Sequence, residues 1–329
     1  MSHRLHTTCY LAVSSALLML AADNACAQLA PVNPIPSVFE IGSGQLGHWY
    51  LSRSSTFASV YGASAGADDG FDNANIGLAQ AITKSVSGEY DTASAYAAVT
   101  PTKLSAAAFS NSEQLSIAPG AVGISMASAS FFTILDRPGT ITLHVNLSGF
   151  LNSLTPNAEA GVAMMAIGSG VDDNVLNTIN QAGSNEDASP LETLKALPRI
   201  DTAHAQVFSA FHRSGIGPTL ELDQPFTVSA DGFAFACPPS GPGTEYCGKY
   251  GYGIDLLIQA VSVNSASSDF AHTLAITGLD VPEGSSLTFD DGAAIPVTVS
   301  AVPEVSTSAM SLLGLGMVAG LTARRRQRG

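Results

Sequence analysis

Residues 140–150 place Ile141, Leu143, Val145 and Leu147 at every second position, with Thr140, Thr142, His144 and Asn146 between them. Strand side chains point alternately to opposite faces, so this spacing predicts a strand with one buried face. Segment 123–135 alternates in the same way, and Asp136-Arg137-Pro138-Gly139 between the two has the composition of a turn. Together they predict a β-hairpin. Period-two spacing continues through Tyr90, Thr92, Ser94, Tyr96 and Ala98, then Leu104, Ala106 and Ala108, around a turn at Pro101-Thr102-Lys103. Segment 161–168 reads as a buried strand, and further strands are predicted over 207–212, 219–222, 226–230, 232–237, 250–263, 267–279, 287–289 and 294–300. Helix is expected only over 76–84 and 191–197. The polar stretch 171–199 reads as an insertion over one end of the fold. Ten or more short strands at turn-punctuated spacing predict an all-β protein, a β-sandwich of jelly-roll type.

Both ends depart from this pattern. Residues 1–27 have a basic start at Arg4, an apolar stretch from Tyr10 to Ala22, and Ala25-Cys26-Ala27. Small residues at Ala25 and Ala27 mark a signal-peptide cleavage site, with Gln28 as the first mature residue. Cys26 would also suit a lipoprotein, although Asp23-Asn24-Ala25 lacks the apolar residue expected three before it. At the other end, Val302-Pro303-Glu304-Val305 precedes an apolar run and the basic cluster Arg324, Arg325, Arg326 and Arg328. Residues 306–323 are near the lower limit for crossing a hydrocarbon core. The arginines favour the cytoplasmic side, which would leave residues 28–301 outside.

This tail resembles the PEP-CTERM sorting signal of Gram-negative bacterial surface proteins, a Pro-Glu-Pro motif followed by one span and an arginine cluster. The sequence departs from that pattern at Val305, where the second proline belongs. Asp269-Phe270-Ala271-His272-Thr273-Leu274 also resembles a stretch common just upstream of such tails. The resemblance implies a transient membrane anchor recognised and removed by an exosortase-type protease. It implies no activity for the body.

Charge narrows the partners of the body. Setting aside Arg4, the tail arginines, Asp23 and Glu304 leaves 8 basic and 25 acidic residues, a net charge of −17. Such a surface repels phosphate backbones and excludes nucleic acid as a natural partner. Only Cys237 and Cys247 remain in the body, around a Pro- and Gly-rich loop. In an oxidising compartment they are expected to form a disulfide, since a metal site would want further soft or imidazole ligands nearby.

Candidate chemistry is sparse. Gly42-Ser43-Gly44-Gln45-Leu46-Gly47 matches a dinucleotide fingerprint but follows a proline-rich lead rather than a strand. Gly62-Ala63-Ser64-Ala65-Gly66 matches a nucleophile elbow but runs into a turn-like Ala67-Asp68-Asp69-Gly70 rather than a helix. Both are chance matches in a chain rich in Gly, Ala and Ser. Asp68, Asp69, Asp72 and Asn73 form an acidic run that reads as a loop, either solvated or holding a structural Ca²⁺. His48, His144, His204, His212 and His272 are scattered singly. Trp49, Tyr50, Tyr246, Tyr250 and Tyr252 could stack on sugars. These features favour a noncatalytic matrix, adhesion or carbohydrate-binding protein without a cofactor, with exopolysaccharide as a partner. The alternative is a glycoside hydrolase, which needs two carboxylates about 5–10 Å apart in a groove.

Overall fold

The structure, a computed structural model, describes residues 46–75, 79–112, 120–183, 190–213, 219–235, 237, 246–289 and 295–300. The leader and the sorting motif with its span and arginines lie outside these residues. Among the described residues no helix is long and apolar enough to cross a membrane.

The strands are β1 (His48–Gly62), β2 (Gly66–Asn75), β3 (Gln80–Ser87), β4 (Asp91–Thr100), β5 (Lys103–Ser112), β6 (Ala121–Leu135), β7 (Thr140–Ser153) and β8 (Glu159–Gly168). Two helices follow, α1 (Asp173–Gly183) and α2 (Pro190–Ala196). Then come β9 (Ile200–Asp201), β10 (Ala205–Arg213), β11 (Leu220–Asp231), β12 (Phe233–Ala234), β13 (Tyr250–Val263), β14 (Ala266–Pro282), β15 (Thr288–Phe289) and β16 (Val297–Ser300). The protein is all-β, with its strands in two sheets. One runs β15-β1-β6-β13-β8-β10-β9, with β2 beside β1 and β12 beside β13. The other runs β11-β7-β14-β5-β4-β3, with β16 beside β14.

The sheets share one main core. Phe131 on β6 and Tyr252, Ile254, Leu256 and Ile258 on β13 meet Leu104 on β5, Ile141, Leu143, Val145 and Leu147 on β7, and Phe270 and Leu274 on β14. Burying each such side chain contributes about 1.5–3 kcal/mol. Toward β1 to β4 the filling shrinks to Ala58, Val60, Ala93 and Ala95. The sheets close in there: a Cβ on Gly123 of β6 would lie 2.9 Å from the carbonyl oxygens of Phe109 and Ser94 in the opposite sheet.

Several sequence expectations change. The hairpin over 123–150 is instead an arch, since β6 belongs to the nine-stranded sheet and β7 to the seven-stranded one. The Tyr252 hydroxyl donates to the Arg137 carbonyl at 2.7 Å, and Gly232 N donates to Gly139 O, which pins the arch. Of the helix expected over 76–84, residues 76–78 lie outside the described residues, and 80–84 belong instead to β3, whose Ile82, Thr83 and Val86 suit a strand and which pairs along β4. Segments 219–222 and 226–230 form one strand, β11. Pro225 is tolerated there because β11 lies at a sheet edge.

The polar insertion over 171–199 lies on a sheet face rather than over an end. It holds the expected short helix α2 and a second helix, α1, which sequence reading missed. Asp172 caps α1, its Oδ1 accepting from Asn174 N at 2.7 Å. Val175, Leu176 and Ile179 give α1 its apolar side, and with Leu191 and Leu194 of α2 they pack on Ala163, Ile167, Val207, Leu257 and Val261.

Candidate functional site

The acidic run is not a loop. Asp68, Asp69, Asp72 and Asn73 lie in β2, paired in register with Val60, Ser59, Thr56 and Ser55 of β1. Alternation puts Asp69 on the opposite face from Asp68 and Asp72. Lys84 Nζ donates to Asp68 Oδ1 at 2.9 Å. A Ca²⁺ site needs six to eight oxygens converging on one point, and this strand spreads its carboxylates over two faces. Among the described residues no three His, Cys, Asp or Glu side chains group as a metal site.

The expected disulfide is also not formed in this structure, where Cys237 is exposed and Cys247 half-buried. The neck of their loop closes by other means. Phe233 packs on Phe235 with ring centroids 5.6 Å apart, and Phe235 on Tyr246 at 5.5 Å. Phe235 N donates to Lys249 O at 3.2 Å, and β12 pairs with β13.

The histidines stay apart. His144 meets Asp280 at 2.9 Å on a sheet surface, His204 meets Asp231 at 3.1 Å, and His212 Nδ1 shares a buried hydrogen bond with Ser153 Oγ at 2.5 Å. His272 lies in β14, and its side chain is outside the described ones.

Of the five aromatics picked out by sequence, Trp49 and Tyr252 belong to the core. Trp49 stacks on Phe131 at 5.6 Å, and Tyr252 is fully buried with its hydroxyl pushed up to about 12 by burial first, then by Tyr250 and Asp231. Tyr250 packs against the same core. Tyr50 and Tyr246 lie near one another, Tyr50 packing on His48 and Phe132 and Tyr246 on Phe235. Burial and the neighbouring Tyr246 push the Tyr50 hydroxyl up to about 12.

One end of the outer face of the nine-stranded sheet carries an aromatic ridge. His48 stacks on Tyr50 at 6.2 Å, Tyr50 meets Phe132 edge-on at 5.9 Å, and Phe132 meets Phe233 at 6.2 Å. Gly251 lets the rings lie on the sheet: a Cβ there would come within 2.5 Å of the Phe233 ring. At the foot of the ridge the registers align Arg53, Ser130 and Asp255 across β1, β6 and β13. Asp255 keeps some solvent exposure, but protein atoms crowd its carboxyl and push it up to about 6. The Ser130 hydrogen bond and the Arg53 charge oppose that rise.

The outer face of the seven-stranded sheet is different, because both helices pack on the other sheet. Its outward positions on β7 are polar and tied across strands. Thr142 shares a hydrogen bond with Ser229 at 3.0 Å, and Asn146 donates to Asp223 at 2.7 Å. Among these groups Phe109 and Phe150 stand 44% and 37% exposed. The register runs Glu221, Phe150, Asp269, Ala107 and Tyr96 across five strands, with Phe109 two residues along β5 beside Ser94 and Ser267. Strand spacing sets the Phe150 and Phe109 strands about 10 Å apart, with only small or polar side chains between. Phe109 and Phe150 were not singled out by sequence reading, although their outward parity in alternating strands was a signal that could have found them.

No protein-family model matches the chain, and neither a curated protein nor a solved structure matches it.

Proposed function

We propose that this is an exported, surface-delivered protein of the extracellular polysaccharide matrix that acts without catalysis. It binds glycan chains along the open face of the seven-stranded sheet. The observation that carries this reading is that Phe109 and Phe150 are exposed, with half-buried Tyr96 nearby, on one sheet face among small hydroxyl, amide and carboxylate groups. Aromatic rings cover the apolar face of a pyranose, and the polar groups between them meet its hydroxyls. Strand order supports a jelly-roll reading of the scaffold. The runs β11-β7-β14-β5 and β10-β8-β13-β6 place the late strand β14 between β7 and β5 and the late strand β13 between β8 and β6, as two interleaved Greek keys do.

Delivery follows the two ends. The leader with Ala25 and Ala27 exports the chain, the span with Arg324, Arg325, Arg326 and Arg328 holds it in the inner membrane, and an exosortase-type protease acts near Val302, Pro303 and Glu304. β16 ends at Ser300, so the sorting motif follows the folded body within two residues.

A polysaccharide hydrolase has one observation in its favour, that Glu221 and Asp269 flank Phe150 in register. Hydrolysis at two carboxylates works best in a groove that holds the sugar and one reacting water between them and shields them from bulk solvent, and an open face favours binding over cleavage. The test is a pull-down of the mature body against the host's own exopolysaccharide, with release of reducing ends followed in parallel. Retention weakened at least tenfold by Phe109→Ala combined with Phe150→Ala, with no new reducing ends, is the expected result. Undiminished retention in that variant removes the binding face. Reducing ends lost in Asp269→Asn would turn the assignment to a hydrolase.

A further inference from the structure

We infer that β16 is a release strand, drawn off β14 by the membrane-bound sorting protease so that the motif at 302–305 can enter its cleft. The inference rests on the delivery reading above. Among the described residues β16 (Val297–Ser300) pairs with β14 alone, in parallel register from Leu279↔Val297 to Pro282↔Ser300. Its side chains hold it weakly. Successive strand residues point to opposite faces, yet Pro296, Val297, Thr298 and Val299 are all exposed, Val297 by 37% and Val299 by 49%. Leu279 and Val281, which Val297 and Val299 meet on β14, are fully buried. Burial resumes at Ile295, which belongs to the main core. Pro296 follows, and a residue before proline is held in extended backbone, so Ile295 anchors a segment that can peel from Pro296 onward. Residues 296–301 carry no charge, and Val297, Thr298 and Val299 keep a freed segment extended.

Reach gives the strand its task. With β16 docked, only Ala301 and Val302 separate it from Pro303, which leaves about 10 Å of extended chain beyond Ser300. The span read at 306–323 begins three residues after Pro303, and the headgroup layer above the hydrocarbon is about 5–8 Å deep. The folded body then rests against the membrane surface, directly over the motif. An enzyme that takes a peptide as an added strand needs several extended residues on each side of the bond it cuts. Freeing 296–300 adds five residues, about 17 Å, between Ile295 and the motif. That length lifts the body off the protease without opening the core, because β14 keeps its pairing with β5 and β7.

The test follows the full-length chain in its host by pulse-chase, reading removal of the tail. Asp280→Cys combined with Thr298→Cys puts cysteines at registered positions of β14 and β16, where a strand spacing of about 4.8 Å suits a disulfide. The link, confirmed by mass spectrometry of non-reduced peptides, should slow tail removal at least tenfold. Thr298→Cys alone and the reduced double variant should be processed like the unaltered chain, which separates the link from loss of the His144–Asp280 contact. Inserting Gly-Ser-Gly-Ser-Gly after Ser300 in the linked variant returns the reach that the docked strand withholds, so processing should recover. Processing of the linked chain at the unaltered rate, equal slowing in the reduced variant, or a linked chain that stays blocked despite the insertion would overturn the release strand. If the unaltered chain is never shortened, the sorting reading itself fails and the release strand falls with it.

Discussion

The two outer faces of this protein solve the same problem in opposite ways. On the seven-stranded sheet, β7 alternates, and its outward Thr142, His144 and Asn146 are satisfied by Ser229, Asp280 and Asp223 of the neighbouring strands. On the nine-stranded sheet, the outward positions of β8 and β13 include the apolar Ile167, Leu257 and Val261, which need a cover. α1 and α2 supply it over one part of the face, and the aromatic ridge covers another. Between the cover and the ridge lie Gly253 and Asp255, both half-buried. A face whose polar side chains satisfy one another can stay open to solvent, whereas a face with apolar outward side chains needs a cover.

The largest effect that would test this comparison comes from removing the cover. Leu194 of α2 is fully buried against the nine-stranded sheet, so Leu194→Ala should cost about 2–5 kcal/mol in denaturant unfolding. Phe150→Ala, on the open face, should change stability by at most about 0.5–1 kcal/mol. Similar costs for the two variants would erase the distinction between the faces.

Asp255 sharpens the comparison through pH. Its folded value of about 6 lies above the ordinary 3.8, so the folded state holds the proton more tightly than the unfolded one. Stability from this group is therefore present at low pH and falls as pH rises from about 4 to about 6, by about 1–3 kcal/mol. Asp255→Asn should abolish that fall and stabilise the protein at pH 7, read from melts across the range. An unchanged pH profile in the variant would show that the carboxyl is not desolvated.

Gln259 probes the cover from beneath. It is 1% exposed on β13, and neither amide atom has a hydrogen-bond partner among the described residues. Gln259→Met keeps the volume and removes the buried polar group, so a gain of about 1–2 kcal/mol is expected in denaturant melts. A loss would reveal a bound water or partner at that amide.

The smallest effect belongs to the loop beside the ridge. With its neck closed by Phe233, Phe235 and Tyr246, adding reductant should leave the melting temperature of the exported protein unchanged within about 1–2 °C. A larger drop would restore the Cys237–Cys247 disulfide, whose short loop is worth about 2–3 kcal/mol.

The sequence by itself determined that the protein is all-β, because alternation is local and each strand records whether one or both of its faces are buried. Ile141 to Leu147 told of one buried face, and 161–168 told of burial throughout. The short helix near 191–197 was legible for the same reason. Which strands become neighbours was decided by the tertiary structure. Asp136-Arg137-Pro138-Gly139 could close a hairpin or an arch, and contacts from Tyr252 and Gly232, about a hundred residues away, select the arch. Folding of β2 back onto β1 in a hairpin closed at 62–66 turned the acidic run 68–73 from a loop into a strand, and the hairpin with β4 drew 80–87 out of helix. The open aromatic face and the Arg53–Asp255 alignment arise instead from pairing between strands far apart in sequence. Phe109 and Phe150 share a face only because β14 inserts between their strands, and Arg53, Ser130 and Asp255 align only where β1, β6 and β13 run side by side. Side-chain alternation belongs to each strand and is written locally, whereas a site that crosses three strands depends on a register set by packing the whole core.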